Sequence, residues 1–393
     1  MEDLYDAMTR LRSYVETERF AGYDPYDALN ASFDFSRFGH WGPVLAIQIQ
    51  KRNPLNIRSL MNVKKGINPK AMGLFLYAYS QLYELEKNEY YLEKAKYLVR
   101  MIHETVSKGY SGAGWGYNFD WASPGKYLPA YTPSVVVTAF VARGLFKYYL
   151  VSRDQEAYSL LLSASKFILD DLPRTETEDG ICISYTPVKK DCCYNASLLG
   201  AELLARVYAL TNEEHLRTVA LNAVDFVVAH QYDDGHWKYS IDIKTGKERN
   251  QVDFHQGFLL DCMKDILRFT RENNEVYQKA ILKGAYFFKN EQFKPNGRSM
   301  WRLPSRWPVD IHHQAQGIIT FSKLASMDES FGVFSEQIAR WTIDHMQDPA
   351  GFFYYRKGRL WTNKIPYMRW GQAWMMTALS QLITTLSLTP AHT

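Results

Sequence analysis

Cysteine is scarce in this chain: Cys182, Cys192, Cys193 and Cys262 are the only four in 393 residues. So few, so unevenly placed, exclude a disulfide framework and make a reducing cytoplasm the expected compartment. Long apolar runs are missing as well. No stretch approaches the roughly 20 residues of a bilayer span, so no transmembrane segment is expected. The start, Met1-Glu-Asp-Leu-Tyr-Asp6, is acidic and lacks the basic and apolar pattern of a secretory signal. Charge of one sign is also lacking: 46 Lys and Arg face 42 Asp and Glu, a net +4. With no dense basic block, nucleic acid is not an expected partner. Apolar residues at 46% and charged residues at 22% exclude disorder.

Aromatic residues are plentiful. Tyr, Phe and Trp make up 15% of the chain. Such rings fill cores, and they also line grooves that bind sugars or isoprenoids.

Short Gly/aromatic segments recur along the sequence. They are Gly114-Trp-Gly-Tyr117, Gly180-Ile-Cys-Ile-Ser-Tyr185, Gly235-His-Trp-Lys-Tyr239, the segment from Gly297 to Trp301, and Gly351-Phe-Phe-Tyr-Tyr355. Gly114 and Gly351 lie four intervals apart, which sets a mean period of about 59 residues. Between the marks each unit reads as a loop, a helix, a short turn and a second helix. The first helices, near 70–86, 133–150, 194–210, 254–269, 311–324 and 367–386, are rich in apolar and small residues. The second helices, near 89–106, 155–172, 213–230, 275–292 and 331–346, are amphipathic. In 213–230, Leu216, Val219, Ala220, Ala223, Val224 and Val227 keep the spacing of one buried stripe. A helix with a single stripe belongs outside, and one apolar on most sides belongs inside. Six inner helices and five outer ones follow. Residues 4–20 supply the missing outer helix, closing the ring against the last inner one. The expected fold is an all-α (α/α)6 toroid, one domain over 1–393, with 21–68 as an extra segment near one mouth. A linear solenoid competes, but it would leave the first and last helices with uncovered apolar faces.

Gln231-Tyr-Asp-Asp-Gly235-His-Trp237 fits the Q-x-x-x-G-x-W motif of squalene and terpenoid cyclases, and Gln347-Asp-Pro-Ala-Gly351-Phe-Phe353 repeats it with Phe for Trp. The chain thus resembles the six-hairpin toroid group, which includes terpenoid cyclases, protein prenyltransferase β-subunits, and many sugar epimerases, lyases and unsaturated-glycoside hydrolases. Three stretches, Gly22 to Leu29, Asn195 to Ala205 and Lys364 to Trp374, look most like a family of bacterial and archaeal polysaccharide-biosynthesis proteins. That resemblance implies a role in glycan production, a polymeric or lipid-linked saccharide as partner, and glycosyltransferases as neighbours; it assigns no reaction. The motif itself staples helices to loops and performs no chemistry.

In such a toroid the loops leading into the inner helices converge on one mouth. Here they carry Tyr131-Thr-Pro-Ser134, Asp191-Cys-Cys-Tyr194, Asp253-Phe-His255-Gln256, Asp310-Ile-His-His-Gln314 and Tyr367-Met-Arg369-Trp370. Asp253 and Asp310 suit helix caps. His255 and His312 fall at matching places, and imidazole suits proton transfer near neutrality. Abstraction of the proton α to a uronate carboxylate would use His255 and Tyr194, with Arg369 neutralising the carboxylate. Hydrolysis would need paired carboxylates, for which Asp120 with Asp191 or Asp253 is the available set. Trp115, Trp370, Tyr367, Gln256 and Arg302 are the expected binding residues, by stacking, hydrogen bonding or pairing with an anion. The expected cavity is lined by Trp115, Asp120, Tyr194, His255, His312 and Arg369, and helix N-termini facing it favour an anionic ligand.

Two other functions compete. Asp191-x-Cys193 with His255, followed by Tyr194, resembles the zinc triad of protein prenyltransferase β-subunits, and these ligand types suit zinc. No other cofactor is expected. A non-catalytic glycan-binding or scaffold protein is the third class. Terpenoid cyclisation is set aside, because neither an Asp-x-Asp-Asp nor an Asp-Asp-x-x-Asp cluster occurs.

Overall fold

The computed structural model describes residues 1–388. Thirteen α-helices follow in order: α1 (Glu2–Thr17), α2 (Trp41–Arg52), α3 (Pro69–Glu86), α4 (Glu89–Glu104), α5 (Val135–Ser152), α6 (Gln155–Lys166), α7 (Tyr194–Thr211), α8 (Glu214–Ala229), α9 (His255–Thr270), α10 (Glu275–Gln292), α11 (Ile311–Leu324), α12 (Glu329–Met346) and α13 (Trp374–Leu388). The odd-numbered helices from α3 to α13 pack side by side as the inner ring, and α13 returns to pack on α3. The ring is closed. Helix α1 packs against α12 and α13 as the sixth outer helix. This is the (α/α)6 toroid that the hydrophobic pattern predicts.

Local chemistry sets the helix ends. Asn68, Ser134 and Asp310 cap inner helices, and Asn88, Asp154, Asn274 and Asp328 cap outer ones, each accepting a backbone N–H. Several inner helices stop at a left-handed residue, Lys87, Arg153, Asn212 or Arg271, which turns the chain at once into the outer partner. Helix α5 is long and apolar enough to qualify as a bilayer span by length and composition, but the ring buries most of it.

The Gly/aromatic marks are the joints of the ring. Gln231 donates to the carbonyls of Gly235 and of Ala280 on α10, and Gln347 donates likewise to Gly351 and to Ala7 on α1. Gly235 and Gly351 have φ of 101° and 98°, and a Cβ would lie 2.5 and 2.3 Å from carbonyls of α10 and α1. Only glycine fits there. From the inside, residues at or near the starts of five inner helices hold the same marks: Thr138, Ser197, Gln256, Gln314 and Gln372 accept from the N–H groups of Trp115, Ile183, Trp237, Ser299 and Phe353.

Short antiparallel strands decorate the end of the ring where the inner helices begin. A hairpin spans residues 121–128, and another, 240–249, pairs Ile241 with Cys192 and Ser240 with Cys193 just before α7. Farther down the inner helices lies a buried ionic network. Glu202 accepts from Arg143 and Arg206, and Asp265 accepts from Arg206 and Lys323 at 2.8 and 2.7 Å. It joins α5, α7, α9 and α11.

Candidate active site

The beginnings of all six inner helices converge on one cavity of about 1320 Å³. Lys70 comes from α3, Ser134 and Val136 from the start of α5, and Asn195 from α7. Helix α9 supplies His255 and Phe258, and α11 supplies His312. Arg369 and Trp370 lie in the π-helical turn Met368–Ala373 that leads into α13. The two hairpins, Lys189-Lys190, and Tyr26 and Lys51 from the 21–68 segment form the rim. Lysines and arginines outnumber carboxylates ten to three among the lining residues, so the field in the cavity favours an anion.

His255 sits on a carboxylate. Its Nδ1 is 2.5 Å from Oδ1 of buried Asp253, which also accepts the His255 backbone N–H. The other Asp253 oxygen accepts from Gln251 at 2.9 Å and lies 3.5 Å from Arg302 Nε. Burial opposes ionisation of Asp253, but the charge and hydrogen bond of His255, with Arg302, outweigh it and hold its pKa below the usual carboxylate range. The carboxylate thereby fixes the imidazole and leaves Nε2 as the nitrogen available to a ligand. Tyr239 meets the ring edge-on at 4.9 Å, and Phe254 stacks on it at 4.3 Å.

His312 has the opposite surroundings. It stacks on Phe254 at 4.4 Å and packs on Trp370 and Trp374, and neither ring nitrogen has a hydrogen-bond partner in the protein. Burial, then Lys70 and Arg369, push its pKa well below the usual histidine value, so the ring is neutral at pH 7. Lys70 is equally deep. Its Nζ lies 4.3 Å over Phe140 and 5.2 Å over Trp374, and burial, then Arg369 and Arg143, lower its pKa well below the usual lysine range.

His255, His312, Arg369, Trp370, Arg302 and Asp191 border the cavity, and Asp253 stands directly behind His255. Arg369 is not free to clamp a ligand with both arms. Its Nε and Nη2 donate to Asp24 at 2.6 and 2.7 Å, a pairing across 345 residues that leaves Nη1. Other expected residues lie outside. Trp115 is fully buried, its indole N–H donating to Ile102 O on α4 at 2.8 Å, just as Trp237 does to Val227 O on α8. Both tryptophans are staples of the repeat. Gln256 is one as well, since both ends of its amide bind the backbone of Trp237. Tyr194 is enclosed by Phe226 and His230 and donates to Glu248; burial and that carboxylate raise its pKa out of reach of a base at neutral pH. Asp120 holds the 121–128 hairpin by accepting from Tyr127 and Ala130. Tyr367 packs with Tyr355 and Ile365 in a small core beside the ring.

Asp191, Cys193 and His255 border one cavity without forming a zinc ligand set. Cys193 Sγ is 3.0 Å from Asn195 Oδ1, and burial raises its thiol to about 12. Asp191 Oδ1 accepts from Tyr185 N, and Asp253 occupies His255 Nδ1. Among the described residues no group of three His, Cys, Asp or Glu side chains is placed to hold a metal ion. These residues do not fit zinc.

Sequence reasoning misses Lys70, Asp24 and the aromatic wall of Tyr117, Phe119, Tyr239, Phe254 and Phe258. For Lys70 a signal exists: a lysine in the first turn of a helix whose next residues are all apolar. For Asp24 there is none, because its partner is 345 residues away.

Closed ring, stapled repeats and a cavity at the inner-helix N-termini define an (α/α)6 toroid with one polar mouth. Within that class, a family model described as pectic acid lyase matches residues 190–291, about a quarter of the chain, from Lys190 through α10. Solved structures share the fold over nearly the whole length. The cellobiose 2-epimerase of Bacillus thermoamylovorans B4167 is 16% identical, covering 96% of this chain and 98% of that one with a TM-score of 0.65. An unsaturated glucuronyl hydrolase specific for heparin is 13% identical over 98% and 97%, and a D-mannose isomerase 12% identical over 97% and 97%, both with a TM-score of 0.65. No curated protein sequence matches the chain.

Proposed function

We propose that this protein is a carbohydrate-active enzyme that removes the proton α to the carboxylate of a uronate-class glycan. The observation that carries the reading is the Asp253–His255 pair in a cavity where lysines and arginines outnumber carboxylates ten to three. His255 Nε2 accepts the C5 proton, and Asp253 stabilises the imidazolium that forms. Arg302, beside Asp253, offsets the charge growing on the substrate carboxylate. The C–H electron pair then has two fates. If it expels the C4 oxygen, a C4=C5 double bond forms and the leaving oxygen takes a proton, which is elimination. If a proton returns to C5 from the other face, the sugar is epimerised. His312, neutral and unpartnered, is the second imidazole in the cavity and the base for that face in the reverse direction, while the proton returned to C5 in the forward direction comes from water.

Hydrolysis is less well supported, because the lining carboxylates are engaged. Asp191 holds Tyr185, Asp242 accepts from the Lys244 and Thr245 backbone, and Glu248 binds Tyr194, Tyr232 and Lys238. Similarity to epimerases, a glucuronyl hydrolase and a pectic acid lyase model supports a glycan as the partner class. A place in polysaccharide biosynthesis, with a polymeric or lipid-linked substrate and glycosyltransferase neighbours, belongs to the same proposal.

The test is incubation with oligogalacturonate and glucuronate-containing oligosaccharides in deuterated water. Deuterium at C5, or an ultraviolet-absorbing unsaturated uronate, is expected, with His255→Ala lowering the rate about 10²- to 10⁴-fold. New reducing ends without either product, or a His255→Ala variant as active as the parent, would sink the reading.

A further inference from the structure

Residues 21–68 put a helix on the rim of the cavity with its apolar side facing water. The inner face of α2 is accounted for, because Val44 and Ile47 pack with Ala28 and Ala122. Its outer face carries Trp41, Leu45 and Ile49, spaced four apart and 56%, 54% and 65% exposed. In the same segment Phe38 is 71% and Leu60 86% exposed. The loop 355–364, joined to the residue after α2 by Asn363 donating to Asn53 O, also exposes Leu360 and Trp361. An exposed apolar patch of this extent marks a surface that meets something.

Charge says what. Residues 31–66 hold six Lys and Arg against Asp34 alone, and residues 355–364 hold four against none. These two segments carry a net +9, and the rest of the chain is net −5. Arg58 and Arg356 are spent on buried Asp27 and Asp310, and Lys65 on Glu18. Arg37, Arg52, Arg359 and Lys364 remain exposed around the apolar residues. A stripe of Trp, Leu, Ile and Phe ringed by cations is the composition of a helix lying in a bilayer interface. At 12 residues, α2 is about 18 Å long, too short to cross a membrane but suited to lying along one. A second copy of this chain fits poorly, since a two-fold contact would set the same cations against each other.

We propose that the face formed by α2, the 31–66 segment and the 355–364 loop rests on an anionic lipid surface, with Trp41, Leu45 and Ile49 in the headgroup layer. Lys51 of α2 and Tyr26 line the cavity, so docking sets the cavity mouth at headgroup level. The proposal stands apart from the reaction assigned above.

The experiment is co-sedimentation of the full-length protein with vesicles of phosphatidylcholine alone and of phosphatidylcholine with about one-third phosphatidylglycerol. Binding to the anionic vesicles at low salt is expected, weakening at least about tenfold in high salt. A variant with Trp41→Ser, Leu45→Gln and Ile49→Gln changes exposed side chains only, so circular dichroism should show it folded, and it should bind at least about tenfold more weakly. Equal sedimentation with both vesicle types, or equal binding by parent and variant, overturns the proposal. So does a concentration-dependent dimer lost in the variant with no vesicle binding by the parent, which would make the patch a protein interface.

Discussion

Lys70 shows how one buried charge links stability to function. Its amine lies among the rings of Phe140, Phe258 and Trp374, with the cations Arg369 and Arg143 as its main charged neighbours. Its folded pKa lies below the unfolded value, so between the two the unfolded chain binds the extra proton. Stability therefore rises with pH through that window and is poorest below the folded pKa. Replacing Lys70 with Met keeps the volume and removes the unfavourable charge. Lys70→Met is expected to stabilise the protein by on the order of 1 kcal/mol at pH 6, with the gain shrinking by pH 10. In the same variant, proton exchange on the substrate should fall about 100-fold, because the amine shapes the field at His312. Thermal melts at the two pH values check the first part. A gain that grows with pH would contradict the assigned burial.

At the scale of elements, the sequence makes the hairpins plain because two periods coincide, 3.6 residues along each helix and about 59 between Gly/aromatic marks. Both are local patterns of residue type. The marks mislead only about side-chain direction: Trp115 stands in a loop near the mouth, yet its indole N–H turns back to α4 for the same reason that Trp237 turns back to α8. A loop position does not tell which way a ring faces. His255 and His312 are readable because the repeat places them in register, whereas the Asp24–Arg369 pair joins two segments that share no period. The ionic network deep in the ring is equally hidden, as Glu202 in α7 reads like any polar helix residue. Its carboxylate is shared by Arg143 and Arg206, so one substitution loosens α5 and leaves two buried cations short of a partner. Glu202→Gln is expected to cost about 3 kcal/mol in urea unfolding while leaving the cavity residues in place. A cost near zero would mean that the network is solvated.

The whole molecule depends on one seam. Every hairpin but the sixth is continuous in sequence; the last pairs α13 with α1, the opposite end of the chain. Among the contacts that hold that seam, α1 packs on α12 and α13, Gln347 donates to Ala7 O, and Arg10 donates to Gln347 Oε1 at 3.1 Å. Gly351 allows all of this, because its φ of 98° and its approach to Arg10 O leave no room for a Cβ, which would lie 2.3 Å away. Gly351→Ala therefore adds backbone strain and pushes α1 off the ring, for a cost of about 3 kcal/mol or more. In a closed ring that loss is felt everywhere, since α1 covers α13 and α13 packs on α3. The variant should unfold cooperatively at lower temperature, and brief proteolysis should cut within residues 1–20 before any other site. Gly125→Ala is the control, as a Cβ there meets nothing within 4 Å, and it should melt like the parent. If Gly351→Ala releases α1 while the remaining hairpins melt as in the parent, the hairpins are stable without closure and the ring behaves as a solenoid whose ends merely touch.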